Sequence, residues 1–157
     1  MEIFSSFIET DFCKISLRAN DNALLSVSFH ATDSDTICEN EITKQARSEL
    51  YEYLQGKRKI FSVPLSFNGT SFQNKVWNEL LKIPYGKSVS YKDIACGCGN
   101  VKACRAAGGA IHRNPIVIII PCHRVVGHDG SLTGFGGGLD VKQRLLDLEQ
   151  ICTKQHR

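Results

Sequence analysis

A thiol, an imidazole and a guanidinium stand side by side at Cys122, His123 and Arg124, straight after Pro121, and a carboxylate, Glu149, follows further along. A cysteine attacks as its thiolate, and a free thiol has a pKa of about 8.5, so a neighbouring base raises its reactive fraction at neutral pH. In a Cys-His-carboxylate set the imidazole takes the thiol proton, while the carboxylate orients the ring and supports its positive form. Cys122, His123 and Glu149 therefore read as an activated nucleophile, and from spacing alone a cysteine hydrolase is one chemistry they would serve. A plainer reading stands beside it. Free cysteine is among the most buried residue types and packs as a small hydrophobe, and Glu149 reads equally well as a solvated residue near a helix end. Adjacent side chains of an extended segment also point to opposite faces, so His123 would reach Cys122 only through a water or a bend after Pro121.

The segment that must position these groups is Ile116 to Ile120, aliphatic throughout and mostly isoleucine. A β-branched run without polar gaps predicts a strand buried on both faces, ending at Pro121 and mounting the reactive groups at the mouth of a rigid element. Upstream, Cys13, Ile15 and Leu17 alternate on one face and Leu25, Val27 and Phe29 on another, with Asn20-Asp21-Asn22 between them, which predicts a hairpin. Ile42, Ala46, Leu50, Tyr53 and Leu54 recur at helical spacing and predict a helix from Glu41 to Gln55, stopped by Gly56. Phe61 to Phe67, with Pro64 inside, reads as a connector or edge strand. The domain boundary is placed there, giving residues 1–66 and 67–157.

A second helix is predicted with Ser71 as its cap and Phe72, Val76, Trp77, Leu80 and Leu81 on one side. Ile83-Pro84-Tyr85-Gly86 ends it. Ser90 caps a short helix from Tyr91 to Cys96, and Gly97-Cys98-Gly99-Asn100 turns into another over Val101 to Ile111. Two helices joined in this way suggest a helix-turn-helix. The glycine-rich loop 127–138 carries Leu139 where a nucleotide-binding fingerprint would have its third glycine. It reads instead as a mobile wall offering backbone N–H groups to a small polar ligand. A closing helix from about Asp140 is expected to bury Val141, Leu145, Leu148 and Cys152.

Composition narrows the partners. The chain has 157 residues and a formal charge of +3. Residues 1–66 carry 7 Lys and Arg against 10 Asp and Glu, whereas residues 67–157 carry 12 against 6. A basic C-terminal part beside an acidic companion suits a polyanion. The longest apolar run is far shorter than the roughly 20 residues that span a bilayer, and the N-terminus lacks the basic-then-apolar pattern of a secretory signal. An intracellular protein without a membrane partner is expected. Seven cysteines without a Cys-x-x-Cys pair are then expected as reduced thiols. Cys96, Cys98 and Cys104 match no common zinc spacing, and no cofactor is expected.

The surface of the stretch Val101 to Ile111 is unusual. Ala103, Cys104, Ala106, Ala107, Gly108, Gly109 and Ala110 are all small, while Lys102 and Arg105 project from it. Its backbone could enter the minor groove of DNA, about 6 Å wide, or pack tightly on another helix or a sheet. With one long polar group, Arg105, it would read few bases, and that side chain could fill the space left by an extruded base.

Seven motifs run through residues 69–150: Gly-Thr-Ser-Phe-Gln-Asn-Lys-Val-Trp, Ile-Pro-Tyr-Gly, Ser-Tyr-Lys-Asp-Ile-Ala, Arg-Ala-Ala-Gly-Gly-Ala, Asn-Pro, Pro-Cys-His-Arg-Val-Val and Gly-Gly-Leu-x-x-Lys-x-x-Leu-Leu-x-x-Glu. In these the chain resembles the O6-alkylguanine-DNA alkyltransferases, or methylated-DNA-protein-cysteine methyltransferases. The resemblance implies an α+β fold. Its N-terminal α/β domain would hold an antiparallel, ribonuclease H-like sheet, and its C-terminal domain would be mainly α and winged helix-turn-helix-like. It implies irreversible transfer of the alkyl group from O6-alkylguanine, and from O4-alkylthymine, in flipped-out bases of double-stranded DNA to Cys122. His123 would then take the thiol proton through a water, Glu149 would stand behind His123, and Asn114 would brace the active-site turn. Tyr91 would protonate the departing base, and Arg105 would occupy the vacated stack, with Lys102, Ala103, Cys104, Ala106 and Arg113 along the DNA. Val125, Val117, Phe135 and Gly136 would line the pocket, the carbonyls of Cys122 and Val125 meeting the guanine edge and the Gly136 region giving an N–H near O6. No cofactor is implied, and the protein would be a monomer, with or without cooperativity on DNA, in the cytoplasm or a eukaryotic nucleus.

Chemistry agrees with that assignment. Attack on saturated carbon suits a soft sulfur nucleophile, the target atom is unreachable inside a stacked duplex, and a thioether has no easy exit, so each molecule should act once. Val117 stands where some relatives have Pro and Gly136 where some have Ser, which bears on how bulky an O6 substituent fits. His112-Arg113 replaces a more varied pair and would add phosphate contacts. Some relatives hold a structural zinc through N-terminal Cys and His; Cys13, Cys38 and His30 are present here without a positional match. Two other readings remain open, a thiol hydrolase that turns over repeatedly and a non-catalytic DNA-binding module that senses damage.

Overall fold

A computed structural model describes residues 2–29, 37–132, 135 and 137–155, so His30 and Gly136 lie outside the described residues. The chain divides into two compact units, Met1–Phe67 with Pro115–Val117, and Asn68–Asn114 with Ile118–Arg157.

The first unit holds β1 (Phe4–Glu9), β2 (Lys14–Ala19) and β3 (Leu24–Ser28), antiparallel and adjacent in that order, with α1 (Glu41–Leu54) packed on them. The predicted hairpin is β2–β3. Its turn forms because the Asn20 side-chain oxygen accepts the N–H groups of Asn22 and Ala23, each at 2.8 Å. The register differs in one respect: Leu24 is buried in place of Leu25, because a bulge between Arg18 and Ala19 shifts the ladder. β1 had no alternating signal and is held by pairing along the whole of β2. Ile8, Ile15, Leu17, Leu24 and Val27 are buried, as are Ala46, Leu50 and Tyr53 of α1. Asn40 and Thr43 cap α1 reciprocally, and Gly56, at φ +77°, follows its end.

The expected strand over Ile116 to Ile120 does not form. Only Ile116 bridges, to Val27, through Val27 N–H to the Pro115 carbonyl at 3.0 Å and Val117 N–H to the Val27 carbonyl at 3.1 Å. Val117 to Ile119 then make a turn. Ile116, Ile118, Ile119 and Ile120 are all buried. An apolar run reports burial, and a buried turn satisfies it as well as a buried strand does.

The second unit holds α2 (Ser71–Leu81), β4 (Val89–Ser90), α3 (Tyr91–Gly97), α4 (Cys104–His112), β5 (Val125–Val126) and α5 (Leu139–Gln155). The cap of α2 is Thr70, one residue before the expected Ser71. Thr70 Oγ1 accepts the Gln73 N–H at 3.1 Å, and Gln73 Oε1 accepts the Thr70 N–H at 3.0 Å. Ser90 caps α3 in the same reciprocal way with Asp93, as its spacing predicts. The predicted helix over Val101 to Ile111 is broken into a 3-10 turn, Val101–Ala103, and α4, because the Asn100 side chain accepts the Lys102 N–H at 3.1 Å and starts a tighter turn first. α2, α3 and α4 pack on one another, and the Trp77 indole donates to the Ala110 carbonyl at 2.9 Å. Among the described residues no helix is long and apolar enough to cross a membrane.

Candidate active site

Cys122 is delivered by a backbone held from behind. Asn114 Nδ2 donates to the Ile120 carbonyl at 2.7 Å, closing the loop that Ile116 to Ile120 traverse. Within that loop Ile118 has φ +71°, a left-handed conformation rare for a β-branched side chain, and its burial holds it there. Cys122–Arg124 form one 3-10 turn, with the Arg124 N–H on the Pro121 carbonyl at 3.0 Å. The opposite-faces argument for Cys122 and His123 therefore lapses, since it belongs to extended chain.

Glu149 of α5 collects this turn. His123 is fully buried and Glu149 is 1% exposed. His123 Nε2 lies 2.6 Å from Glu149 Oε2. Arg124 grips the same carboxylate with two prongs, Nε to Oε1 at 2.8 Å and Nη2 to Oε2 at 3.0 Å. The Gly86 N–H adds a bond to Oε1 at 3.1 Å. Burial alone would push the Glu149 carboxyl up, but the bonds and charges of His123 and Arg124 outweigh it and bring it down to about 2. An ionised carboxylate only accepts, so Nε2 carries the hydrogen and the buried Nδ1 keeps the ring's lone pair. Burial, reinforced by the Arg124 and Lys142 charges, lowers His123 below its ordinary value against the pull of Glu149. The neutral ring is a proton acceptor. Glu149 is thus no solvated helix residue.

Cys122 is 6% exposed. Burial pushes its thiol up to about 11, against the Asn114 side chain and the Lys142 charge, which pull it down. That corrects the expectation of an enlarged thiolate fraction: at rest the sulfur keeps its proton, and attack requires handing it on. Lys142 is itself buried, with Nζ on the Val125 carbonyl at 2.6 Å.

The other expected site residues are placed as follows. Tyr91 opens α3 immediately after β4, and the parallel pairing of Ser90 with Val126 carries it to the strand that follows Cys122. A side-chain carbon added at Gly108 would stand 3.8 Å from the Tyr91 ring. Val125 is buried, Phe135 is half-buried, and Val117, also half-buried, belongs to the first unit. Lys102, Arg105, Ala106, Gly109, His112 and Arg113 are exposed and recur at helical spacing, so they share one face; Ala103 and Cys104 are half-buried. Among the described residues no three His, Cys, Asp or Glu side chains gather as a metal site would need.

The comparisons with known proteins decide the family. The profile described as 6-O-methylguanine DNA methyltransferase, DNA binding domain, matches residues 71–151. A methylated-DNA–protein-cysteine methyltransferase of Methanosarcina barkeri is 41% identical over 154 residues, 94% of this chain and 98% of its own. This chain belongs to that family. The inducible methylated-DNA–protein-cysteine methyltransferase of Bacillus subtilis is 54% identical over 107 residues, 68% of this chain and 60% of its own length. Mycobacterium tuberculosis OGT, crystallised in complex with DNA, superposes with a TM-score of 0.87 at 38% identity, covering 95% of this chain and 94% of its own. The α+β architecture with a small antiparallel sheet is thus that of methylated-DNA–protein-cysteine methyltransferases.

Three parts of this methyltransferase site escaped the sequence reading. Arg124 carried no assigned role, the Ile83-Pro84-Tyr85-Gly86 turn read only as a helix end and a motif, and Lys142 read only as part of a motif. A signal existed for Lys142: it falls with Leu145 and Glu149 at i, i+3 and i+7, placing two charged residues on the buried stripe of α5.

Proposed function

We propose that Cys122 accepts the alkyl group of O6-alkylguanine in duplex DNA, with neutral His123 as the proton acceptor and Glu149 holding the ring. The protein is a methylated-DNA–protein-cysteine methyltransferase of direct-reversal DNA repair, and DNA is its partner. The observation that carries the site assignment is the burial of Cys122, His123 and Glu149 together on one 3-10 turn and one helix. In the step itself, sulfur bonds to the alkyl carbon as the carbon–O6 bond breaks. The thiol proton passes by way of a water to Nδ1 of His123, and Tyr91 protonates the departing guanine. O4-alkylthymine offers the same carbon–oxygen bond. Incubation with an O6-methylguanine duplex should add one methyl mass per molecule, on the Cys122 peptide. Repaired DNA beside an unmodified Cys122 would sink the assignment, and repeated turnover would indicate a hydrolase.

DNA would lie along the exposed face of α4, with Arg105 in the vacated stack and Lys102, His112 and Arg113 toward phosphates, so binding should be salt-sensitive and weakly sequence-dependent. We read α3 and α4 with the flanking strands as a winged helix-turn-helix, and the first unit as ribonuclease H-like. The protein works as a monomer wherever the DNA is, in cytoplasm or nucleus.

Gly109 supports the DNA face. It is exposed inside α4, and a carbon added there meets nothing within 4 Å among the described residues. Glycine inside a helix costs about 1 kcal/mol relative to alanine, and no contact among the described residues requires it here. Gly109→Ala should raise stability by about 0.5–1 kcal/mol in thermal unfolding while weakening duplex affinity in a fluorescence titration, and Gly109→Leu should weaken it further. Unchanged affinity in both variants would remove this face from the interface.

A further inference from the structure

We infer that Arg124, seated on the Ile83-Pro84-Tyr85-Gly86 turn, is a positioning residue that keeps His123 neutral before transfer by taking up part of the Glu149 charge. This rests on the assignment of Cys122 as acceptor and His123 as its base. Among the described residues the two oxygens of Glu149 accept at least four bonds, from Arg124 Nε and the Gly86 N–H on one and from His123 Nε2 and Arg124 Nη2 on the other. Four bonds fill the lone-pair positions of a carboxylate, so it can neither rotate nor take up a proton without losing one. Arg124 is fixed in turn. Its Nη1 donates to the Ile83 carbonyl at 2.7 Å, and its guanidinium stands over the Tyr85 ring, 5.6 Å from the centroid. Gly86 adopts φ +79°, open to glycine at little cost, and its carbonyl accepts from Gln150 Nε2 at 2.7 Å. Every residue of the turn except Pro84 thus serves Arg124 or Glu149 directly.

The electrostatic consequence follows from burial. A buried carboxylate facing an imidazole alone would draw a proton onto the ring, since a neutral ion pair is favoured over a lone buried charge. A protonated His123 cannot receive the thiol proton. Arg124 supplies the positive charge instead and opposes a second one on the ring, as burial does too. The ionisable groups around the ring and carboxylate are Cys122 and Arg124 on the turn, Lys142 on α5, and Tyr85 with Cys152 beside it; among them Lys142 acts on His123 in the same direction as Arg124. When the thiol gives up its proton, the new imidazolium meets the Glu149 oxygen already 2.6 Å away.

The test is the rate of methyl transfer from an excess of O6-methylguanine duplex to the full-length protein, followed by intact mass from pH 5 to pH 9. Arg124→Gln should move the acid limb upward by about one unit, so that the rate at a pH below both midpoints falls about tenfold while the loss at neutral pH is smaller. Arg124→Lys, which keeps the charge but not the fork, should hold the limb near that of the parent while lowering the plateau. A uniform loss in Arg124→Gln with no movement of the limb would overturn the inference and leave Arg124 a packing residue. Should Arg124→Gln fail to fold, the parent decides by nitrogen NMR of the His123 ring: a neutral ring with its hydrogen on Nε2 at pH 6.5 supports the inference, and an imidazolium there overturns it. Absence of any methyl on Cys122 of the parent protein would instead remove the underlying assignment.

Discussion

Replacing Cys122 with alanine should abolish methyl transfer while leaving a folded protein that still binds the duplex. Cys38, Cys96 and Cys104 lack the surroundings to substitute. Cys38 and Cys96 are exposed, Cys104 points at the Val101 carbonyl of its own turn, and none of the three touches His123 or Glu149 in the described contacts. The stability change should be modest, about 1 kcal/mol, because losing one sulfur atom leaves only a small cavity. Duplex affinity should stay within about twofold, since α4 presents its exposed face independently of the sulfur and electrostatic contacts dominate such binding. Intact mass after incubation with a methylated duplex, with unfolding and binding measured on the same preparation, checks all three. Methyl uptake persisting in Cys122→Ala would end the case for this residue. Conversely, Cys38→Ala and Cys96→Ala should transfer at the parent rate.

The second large effect belongs to Glu149, and it is double. Glu149→Ala strips the buried Arg124 of its counter-charge and His123 of its support. Breaking one side of a buried ion pair costs about 3–5 kcal/mol, because the remaining charge stays desolvated and unpaired. Transfer should fall by about 10²–10⁴, the range for losing assistance to a general base, measured by rapid-quench kinetics at matched folded fraction. Urea unfolding that places Glu149→Ala within about 1 kcal/mol of the parent would show that the charge is less committed than the geometry implies.

Acid stability carries the same signature. The Glu149 carboxyl lies at about 2 when folded against an ordinary 4.5, so its contribution is present above about 4.5 and is lost as the pH falls toward 2. His123 adds an earlier loss. Its folded value is below the ordinary 6.5, so the unfolded chain takes the proton first as the pH drops through that value. Glu149→Ala should lack the lower of these two losses in circular-dichroism titrations.

Much of this protein was legible in its residues. The β2–β3 hairpin followed from alternation and the Asn20 turn, α1 and α2 from helical spacing, and α3 from the Ser90 cap. These are signals carried within a few residues of chain. The motifs of residues 69–150 pointed to the family that the comparisons establish. Pairing and long-range charge were a different matter. β1 lacks alternation and exists because β2 offers it a partner, and the aliphatic run before Cys122 announced burial without announcing a turn closed by Asn114.

The sequence by itself determined which groups could do chemistry, Cys122, His123 and Glu149 among them, and which segments had to be buried. Only the tertiary structure decided that Glu149 is shared between His123 and Arg124, that the turn at Ile83 to Gly86 holds both ends of that arrangement, and that Lys142 lies buried beside it. The reason is physical. Periodicity and capping act over one turn or one strand, whereas the protonation of a buried histidine depends on every charge brought near it, and residues 83, 124 and 149 meet only when α5 packs on the Cys122 turn.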